Sequence, residues 1–225
     1  MNKSKFYSFY IAFIVAIGGF LMGFDASVIS GVIKFVSIEF ELTAVQHGFA
    51  VACLTLTATL AMMVSGPISD KIGRKKVLIY AASLFFISAV YSALSPSYAN
   101  LVIARMIGGL GVGAALIVPP MYIAEIAPPK MRGRLVSFNQ LNIVLGLSAA
   151  FFTNYLILQL GESEASWLSS IKINENNWRW MLSLETIPAI LYFGLFAVAG
   201  LLFVIVKMPE TKGKSLEELE ILLIK

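Results

Sequence analysis

Two ionisable residues stand inside long apolar runs of this sequence, Asp25 in the first run and Arg105 in the fourth. Charged side chains are costly within a membrane-spanning helix, so they mark functional sites by default. A carboxylate that faces a guanidinium in a low-dielectric bundle stays ionised, and loss of that pairing favours proton binding. The pair could therefore couple proton movement to a conformational change. A static ion pair that fixes helix register is the alternative.

The composition indicates what kind of element carries these two residues. Of the 225 residues, 58% are hydrophobic and only 13% are charged, and the mean hydropathy is +0.83. A water-soluble domain of this size would expose far more charge. Each apolar run is long enough to cross a hydrocarbon core of about 30 Å as a helix. The sequence predicts an all-α membrane protein whose six spans are Phe9 to Ile33, Ala44 to Val64, Val77 to Leu94, Leu101 to Tyr122, Leu135 to Leu160 and Trp180 to Val206.

The predicted spans place Asp25 and Arg105 at one depth. Asp25 lies about 24 Å above Phe9 at a helical rise of about 1.5 Å per residue. The fourth span runs the opposite way from Leu101, so Arg105 also lies about 24 Å from the inner edge of a ~30 Å core. We therefore expect the two side chains to meet.

The distribution of basic residues predicts the topology. Most of the 17 Lys and Arg residues fall in the N-terminus, the Gly66 to Lys76 loop, the Glu125 to Arg134 loop and the C-terminal tail. Short loops rich in Lys and Arg stay cytoplasmic, so both termini are predicted to face the cytoplasm. Within the first of these loops, Gly66, Pro67 and Gly73 predict a turn.

Amide side chains interrupt the fifth apolar run at Asn139, Gln140, Asn142 and Asn154. Amides both donate to and accept from hydroxyl groups, which suits a polyol such as a sugar. Hydrogen bonding between helices would explain them equally well. Their spacing leaves both interpretations open.

Other kinds of site find no support in the sequence. There is no Ser, His and acid constellation, no Gly-rich phosphate loop and no metal-ligand spacing, so we expect no enzyme, no metal and no cofactor. The single histidine, His47, and the single cysteine, Cys53, are interpreted as structural. The basic residues lie in short loops, where anionic lipid headgroups are a better counter-charge than nucleic acid.

Five stretches of the sequence resemble the sugar porter family of the major facilitator superfamily, and bacterial proton-coupled xylose and related sugar symporters in particular. They are G-F-D-A-S-V-I-S-G from Gly23, G-P-I-S-D-K-I-G-R-K-K from Gly66, A-R-M-I-G-G-L-G-V-G from Ala104, P-M-Y-I-A-E-I-A-P-P-K-M-R-G-R-L-V-S-F-N-Q-L from Pro120, and N-W-R-W-M-L from Asn177. Together they extend over the whole N-terminal half of a family member.

The resemblance implies a fold and a function. The fold would be one half of a major facilitator, built from two inverted three-helix repeats in a plasma or bacterial inner membrane. The function would be proton-coupled monosaccharide symport, with a sugar and protons as the transported partners.

The resemblance also implies roles for individual residues. Asp25 resembles the proton-coupling carboxylate and Arg105 its partner, while Gln140 and Ile143 would line the sugar site. A cytoplasmic salt-bridge network that latches the outward-facing state would comprise Asp70, Arg74, Glu125 and Arg132. Two positions depart from the xylose symporters, because Met22 replaces an aromatic residue and Leu147 replaces a second glutamine.

The C-terminal part departs from the family pattern more strongly. From Gly194 the chain resembles the end of the twelfth span and the terminal P-E-T-K-G motif, as though the middle of a porter were removed. We expect a six-helix domain over residues 1–206 and a tail over 207–225 with a short amphipathic helix. To transport, such a half would need a second copy or another half. The alternative is a non-transporting half-porter that binds a full-length transporter.

Overall fold

A computed structural model describes residues 3–162 and 177–197 of the chain, with side chains described for 17–125, 127–161 and 177–190. Within these ranges the regular elements are all α-helices. Their bounds are α1 Lys3–Glu39, α2 Ala44–Ile72, α3 Arg74–Ala93, α4 Tyr98–Ile126, α5 Arg132–Glu162 and α6 Asn177–Ala197. The prediction of an all-helical fold is therefore confirmed for the described residues.

Five stretches of these helices are long and apolar enough to cross a membrane: Ile17–Glu39, Ala44–Ile72, Arg74–Ala93, Tyr98–Glu125 and Arg132–Gly161. They correspond to the first five predicted spans, although α2 continues eight residues beyond the predicted end and α3 ends one residue before it, at Ala93. The sixth helix is present over Asn177–Ala197, and its role as a span stays a prediction. The tail over 207–225 and the P-E-T-K-G motif lie outside the described residues.

Short side-chain caps start two of the helices. The Thr43 hydroxyl accepts from the Gln46 backbone N–H at 3.3 Å, and the Gln46 side chain accepts from the Thr43 backbone N–H at 2.9 Å. This reciprocal capping box satisfies donors that the first turn of α2 leaves free. Ser97 caps α4 in a similar way, because its hydroxyl accepts from the Asn100 backbone N–H at 3.4 Å.

The turn predicted around Gly66, Pro67 and Gly73 is wrong at its first two residues. Gly66 and Pro67 lie inside α2, and the chain turns only at Gly73, whose φ is 95°. The fixed φ of proline suits a helix, although its ring removes one backbone donor. The carbonyl that loses this donor is that of Met63, four residues earlier.

Glycines bring the helices of the bundle into backbone contact. A methyl group at Gly23 of α1 would collide with the Ile143 carbonyl oxygen of α5, and one at Gly146 of α5 with the Phe20 carbonyl oxygen. Without a hydrophobic driving force between helices in lipid, such close packing is what holds them together. These contacts indicate that the two glycines act in packing.

Replacement of Gly23 by alanine tests this packing. We expect Gly23→Ala to lower the free energy of unfolding in detergent by about 1–3 kcal/mol, because the new methyl group forces α1 and α5 apart. The control is Gly48→Ala in α2, where nothing lies within 4 Å of the added methyl group. That control should be neutral or stabilising by up to about 1 kcal/mol, since alanine favours the helix. Melting temperatures of the purified variants measure both effects, and equal melting temperatures would contradict the packing argument.

Candidate functional site

An ion pair between Asp25 and Arg105 lies in the interior of the bundle. Arg105 Nη1 donates to Asp25 Oδ1 and, at 3.0 Å, to the Asp25 backbone carbonyl. The exposed fractions of the two residues are 0% for Asp25 and 1% for Arg105. The pair therefore joins α1 to α4 at a point that solvent and lipid do not reach. This contact agrees with the common depth that the helical rise predicts.

Small residues make room for the carboxylate. A methyl group at Gly108, one turn after Arg105, would lie 2.9 Å from Asp25 Oδ2. On the other side of Gly108, the Ser88 hydroxyl of α3 donates to the Ala104 carbonyl at 2.9 Å. Three helices thus approach closely at this point because glycine and serine occupy their contact surfaces.

A second buried acid, Glu185 of α6, completes the site and was missed from the sequence. Its exposed fraction is 1%, and its carboxyl group lies close to the Asp25 carboxyl group. The sequence contains the information that identifies it, because Glu185 is an acid inside the sixth predicted span. The rule that ionisable residues within spans mark functional sites applies to Glu185 as it does to Asp25. The site is therefore a cluster of Asp25, Arg105 and Glu185, which we call the buried triad.

The buried triad contains two acids and one cation, and the Arg105 Nε donor is buried without an acceptor among the described residues. Asp25 Oδ2 and Glu185 Oε1 are buried and have no hydrogen-bond donor among the described residues. With both acids ionised, one guanidinium would face two carboxylates, and the excess negative charge would be uncompensated in a medium of low dielectric constant. One proton placed between the two acids supplies the missing donor and balances the charge. The arrangement is chemically suited to binding a proton reversibly.

A polar cluster at the opposite end of α1 from Lys3 fixes α6 against α1. Glu39 accepts a hydrogen bond from the Trp178 indole N–H and pairs with Arg179 Nη2 at 3.1 Å. Arg179 Nη1 also donates to the Ser95 carbonyl at 2.8 Å, and its guanidinium stacks over the Trp178 ring at 4.3 Å. These contacts hold the first turn of α6, seven residues before Glu185, and so help to set which face of α6 meets Asp25.

Three of the four predicted latch residues meet at the basic turn around Gly73. Arg74 pairs with Asp70 at 2.6 Å and with Glu125 at 3.0 Å, which ties the ends of α2, α3 and α4 together. Arg74 also donates to the Ser69 carbonyl at 3.1 Å. The fourth residue, Arg132, begins α5, and its buried Nε has no hydrogen-bond partner among the described residues. The structure therefore joins Asp70, Arg74 and Glu125 and leaves Arg132 outside this set of ion pairs.

The amides of α5 divide into two groups. Asn139 and Asn154 are buried against α1, where Asn154 Nδ2 donates to the Val28 carbonyl at 3.1 Å. This supports the helix-packing interpretation for those two residues. Gln140 is exposed instead. Of the two residues predicted to line the sugar site, Gln140 therefore lies on an open face, while Ile143 is half-buried beside the α1 glycines.

His47 and Cys53, which are interpreted from the sequence as structural residues, both lie in α2. His47 is exposed in the first turns of α2, and Cys53 is buried in the same helix. In the part of the chain that the structure describes, no three His, Cys, Asp or Glu side chains gather as a metal site would need.

Membrane-spanning helices that enclose a buried cation and two acids define an integral membrane protein with an intramembrane charge site. Comparison with known proteins identifies the family. Residues 11–197 match the model of the family described as "Sugar (and other) transporter", and the chain belongs to that family. Its members are transporters of the major facilitator superfamily and are not enzymes, in agreement with the prediction from the sequence.

Individual relatives agree with this assignment. The chain is 37% identical to an arabinose-proton symporter of Bacillus subtilis over 92% of its own length and 42% of the relative. It is 39% identical to a D-xylose transporter of Levilactobacillus brevis over 82% of its length and 37% of the relative. A solved structure of the xylose transporter of Escherichia coli, in a partially occluded inward-open conformation, is 34% identical with a TM-score of 0.77, covering 96% of this chain and 55% of that one.

The chain spans about two fifths of the length of the curated relatives that it matches. It corresponds to the N-terminal half of a sugar porter, as the resemblance of its motifs indicates.

The free energy of unfolding of variants shows whether Asp25 and Arg105 form an ion pair or act as independent charges. We expect Arg105→Gln to lower the free energy of unfolding by about 3–5 kcal/mol, because it leaves two buried acids without a cation. Adding Asp25→Asn to that variant should recover part of the loss, since Glu185 is then the one acid of the buried triad left without a cation. Thermal unfolding in detergent measures both variants. A double variant that is less stable than Arg105→Gln would contradict the pairing.

A double-mutant cycle tests the contact between Arg74 and Glu125. Because the two side chains are mostly shielded from solvent, we expect Arg74→Gln and Glu125→Gln to show an interaction energy of about 0.5–3 kcal/mol in melting experiments. The matched control pairs Glu125→Gln with Arg134→Gln, an exposed residue of α5. That control cycle should give an interaction energy near zero. Additive effects in the first cycle would show that Arg74 does not tie α3 to α4.

Proposed function

We propose that this chain acts in proton-coupled monosaccharide transport across the cell membrane as one half of a sugar porter. The single observation that carries the proposal is the buried triad, in which Asp25 pairs with Arg105 and Glu185 lies close to Asp25. Membership of the sugar transporter family supports the substrate class. The relative from Bacillus subtilis is named for the joint movement of arabinose and protons. For this chain we infer a six-span topology with both termini cytoplasmic, and two inverted three-helix repeats.

The buried triad accounts for coupling through its charge. With one proton bound, the two acids and Arg105 are together neutral, and the helices that carry them can move past one another at low cost. When the proton leaves, the excess negative charge draws Arg105 more strongly toward the acids, which holds α1, α4 and α6 together. Proton binding thus biases a conformational equilibrium, as a coupling ion must. Acidification of the side from which sugar enters should increase uptake.

The sugar would bind at the open face of α5. Gln140 lies on this face and carries an amide that can pair with sugar hydroxyls, and Ile143 lies half-buried at its edge. Neighbouring positions Val144, Leu147 and Phe151 are also exposed, with exposed fractions of 41–51%. A face of this kind encloses a ligand only when another six-helix half covers it. We infer that a second copy or another porter half does so.

The ion pairs of Arg74 would act as the cytoplasmic latch. They connect the ends of α2, α3 and α4, so any movement of α4 relative to the other two helices stretches them. Arg132, at the start of α5, would join the network in a conformation that brings α5 closer to Glu125. Ion pairs that form in one state and separate in another bias the equilibrium between the two.

A second candidate function is modulation of a full-length transporter. The observation that favours it is the largely exposed α5 face together with the two-fifths coverage of the relatives. In this version the chain transports nothing by itself. It occupies the surface that one half of a porter presents to the other, and so alters the folding or rate of its partner.

Uptake into proteoliposomes tests the proposed function. We expect vesicles that hold only this chain to accumulate labelled xylose, arabinose or glucose when the outside is acidified, and Asp25→Asn and Glu185→Gln to abolish that accumulation. Asp25→Asn should keep sugar binding, because it removes the proton site and leaves the α5 face unchanged. The matched control is Glu41→Gln, which changes an exposed acid in the loop between α1 and α2 and should transport normally.

Each outcome bears on one of the two functions. Acid-driven uptake that survives Asp25→Asn would overturn the coupling role of the buried triad. Uptake that appears only when a full-length porter is reconstituted with the chain, and that changes with their ratio, would replace transport by modulation.

A further inference from the structure

Three buried serines form a row along one face of α3, from the buried triad to one end of the bundle. They are Ser88, Ser92 and Ser95, which are 1%, 1% and 0% exposed. Their spacing of four and then three residues places the side chains one above another on a helix. Ser95 follows the last residue of α3, Ala93, and the chain is still coiled there, because the Ser95 backbone N–H donates to the Ser92 carbonyl at 3.3 Å. The serine row therefore carries hydroxyl groups over about 10 Å, at a rise of about 1.5 Å per residue.

The first serine of the row borders the Asp25 carboxylate. A methyl group at Gly108 would lie 2.5 Å from Ser88 Oγ and 2.9 Å from Asp25 Oδ2, so the hydroxyl and the carboxylate oxygen face the same glycine. Asp25 Oδ2 is buried and has no hydrogen-bond donor among the described residues. The serine row thus begins beside an oxygen that is able to accept a proton, which serines used only for helix packing would not require.

The other end of the serine row reaches the surface through Arg179. Arg179 Nη1 donates to the Ser95 carbonyl at 2.8 Å, and the Arg179 and Glu39 side chains are 28% and 38% exposed. Glu39 pairs with Arg179 at 3.1 Å and offsets its charge, so the guanidinium does not repel a proton from this end. This end of the bundle is the one opposite Lys3, which the proposed topology assigns to the outside of the cell.

Within α3, all of which the structure describes, the row does not continue toward Arg74. Beyond Ser88 in that direction, the same face carries Phe85, Ala81 and Leu78, which are apolar and at most 1% exposed. Such side chains neither donate nor accept hydrogen bonds, so they cannot pass a proton along. The hydroxyl groups on this face of α3 therefore lead from the buried triad only toward Arg179.

We propose that the serine row is the route by which a proton passes between the outer surface and the Asp25 carboxylate. This inference rests on the proposed function, because it adds a path to the proton site that the buried triad provides. Its residues touch the moving proton and are distinct from the three that hold it.

The spacing of the serines suits a relay. Successive hydroxyls are about 4.5–6 Å apart along α3, close to the length of two hydrogen bonds of about 2.8 Å, so one water molecule that enters transiently joins each pair. A serine hydroxyl that donates to a carbonyl still has lone pairs with which it accepts. Each hydroxyl or water accepts one proton and gives up another, so only O–H bonds form and break. The net result is one proton transferred from bulk water to Asp25 Oδ2.

Hydrogen–deuterium exchange of the buried carboxylic acid tests the route separately from the site. The carbonyl band of a protonated carboxylic acid moves to lower frequency when deuterium replaces its hydrogen, so infrared spectra after rapid mixing of the purified chain with D₂O give the exchange rate. Ser92→Thr and Ser92→Val introduce side chains of the same shape that differ in the hydroxyl group. We expect Ser92→Val to exchange about tenfold more slowly than Ser92→Thr, with a band of the same size in both.

The matched control uses a serine on the opposite face of α3. Ser83 Oγ donates to the Ile79 carbonyl of its own helix at 3.0 Å, away from the serine row. We expect Ser83→Thr and Ser83→Val to exchange at equal rates.

A further variant keeps the test decisive if added bulk at Ser92 prevents folding. Ser92→Ala combined with Ser95→Ala removes two hydroxyl groups and adds no atoms, and we expect it to slow exchange about tenfold relative to the unmodified chain. Equal rates in Ser92→Thr and Ser92→Val, or an unchanged rate in the double variant, would overturn the route and leave the proposed function intact. Absence of the band from the unmodified chain would instead contradict the proposed function, and the route with it.

Discussion

The structure depends on one electrostatic constraint, the need to neutralise Arg105 and two carboxylates inside a bundle that water does not enter. A buried charge is tolerated only when it is paired and hydrogen-bonded. Arg105 meets that condition through Asp25, which brings α1 and α4 into contact. Glu185 of α6 adds a second buried acid beside Asp25, in excess of the single cation. Three helices thus converge on a point where the charges balance only if one proton is present.

The packing around this point follows from the same constraint. An aspartate side chain is short, so the α1 and α4 backbones must approach closely for Asp25 to reach Arg105, and Gly108 permits that approach. Close contact between α1 and α5 at Gly23 and Gly146 holds α1 from its other side. At the two ends of the bundle, the ion pairs of Arg74 fix α2 and α3 against α4, and the ion pair of Arg179 fixes α6 against α1. The proposed coupling needs helices that are held in this way. A change of one charge shifts a bundle from one conformation to another only when the bundle has a small number of discrete packed arrangements.

Much of this arrangement could be predicted from the sequence, and particular residues show where prediction ends. Hydropathy and helical rise are sufficient to bring Asp25 and Arg105 together. The same rule applies to Glu185, which was overlooked inside the sixth apolar run although no further information was needed. The prediction of a turn at Gly66 and Pro67 is wrong because α2 continues through both residues, in spite of their local preference for turns. The position of Arg132 outside the ion pairs of Arg74 depends on how α5 packs against the ends of the other helices, which the sequence motif alone does not specify.

The infrared spectrum of the purified chain at neutral pH tests the central claim most directly. If the two acids of the buried triad share a proton, the spectrum contains a carbonyl band of a protonated carboxylic acid, and replacement of Glu185 by glutamine removes it. Replacement of the exposed Glu41 by glutamine leaves the band unchanged. A spectrum without any protonated carboxylic acid, or a band that persists after both Asp25 and Glu185 are replaced, would contradict the account.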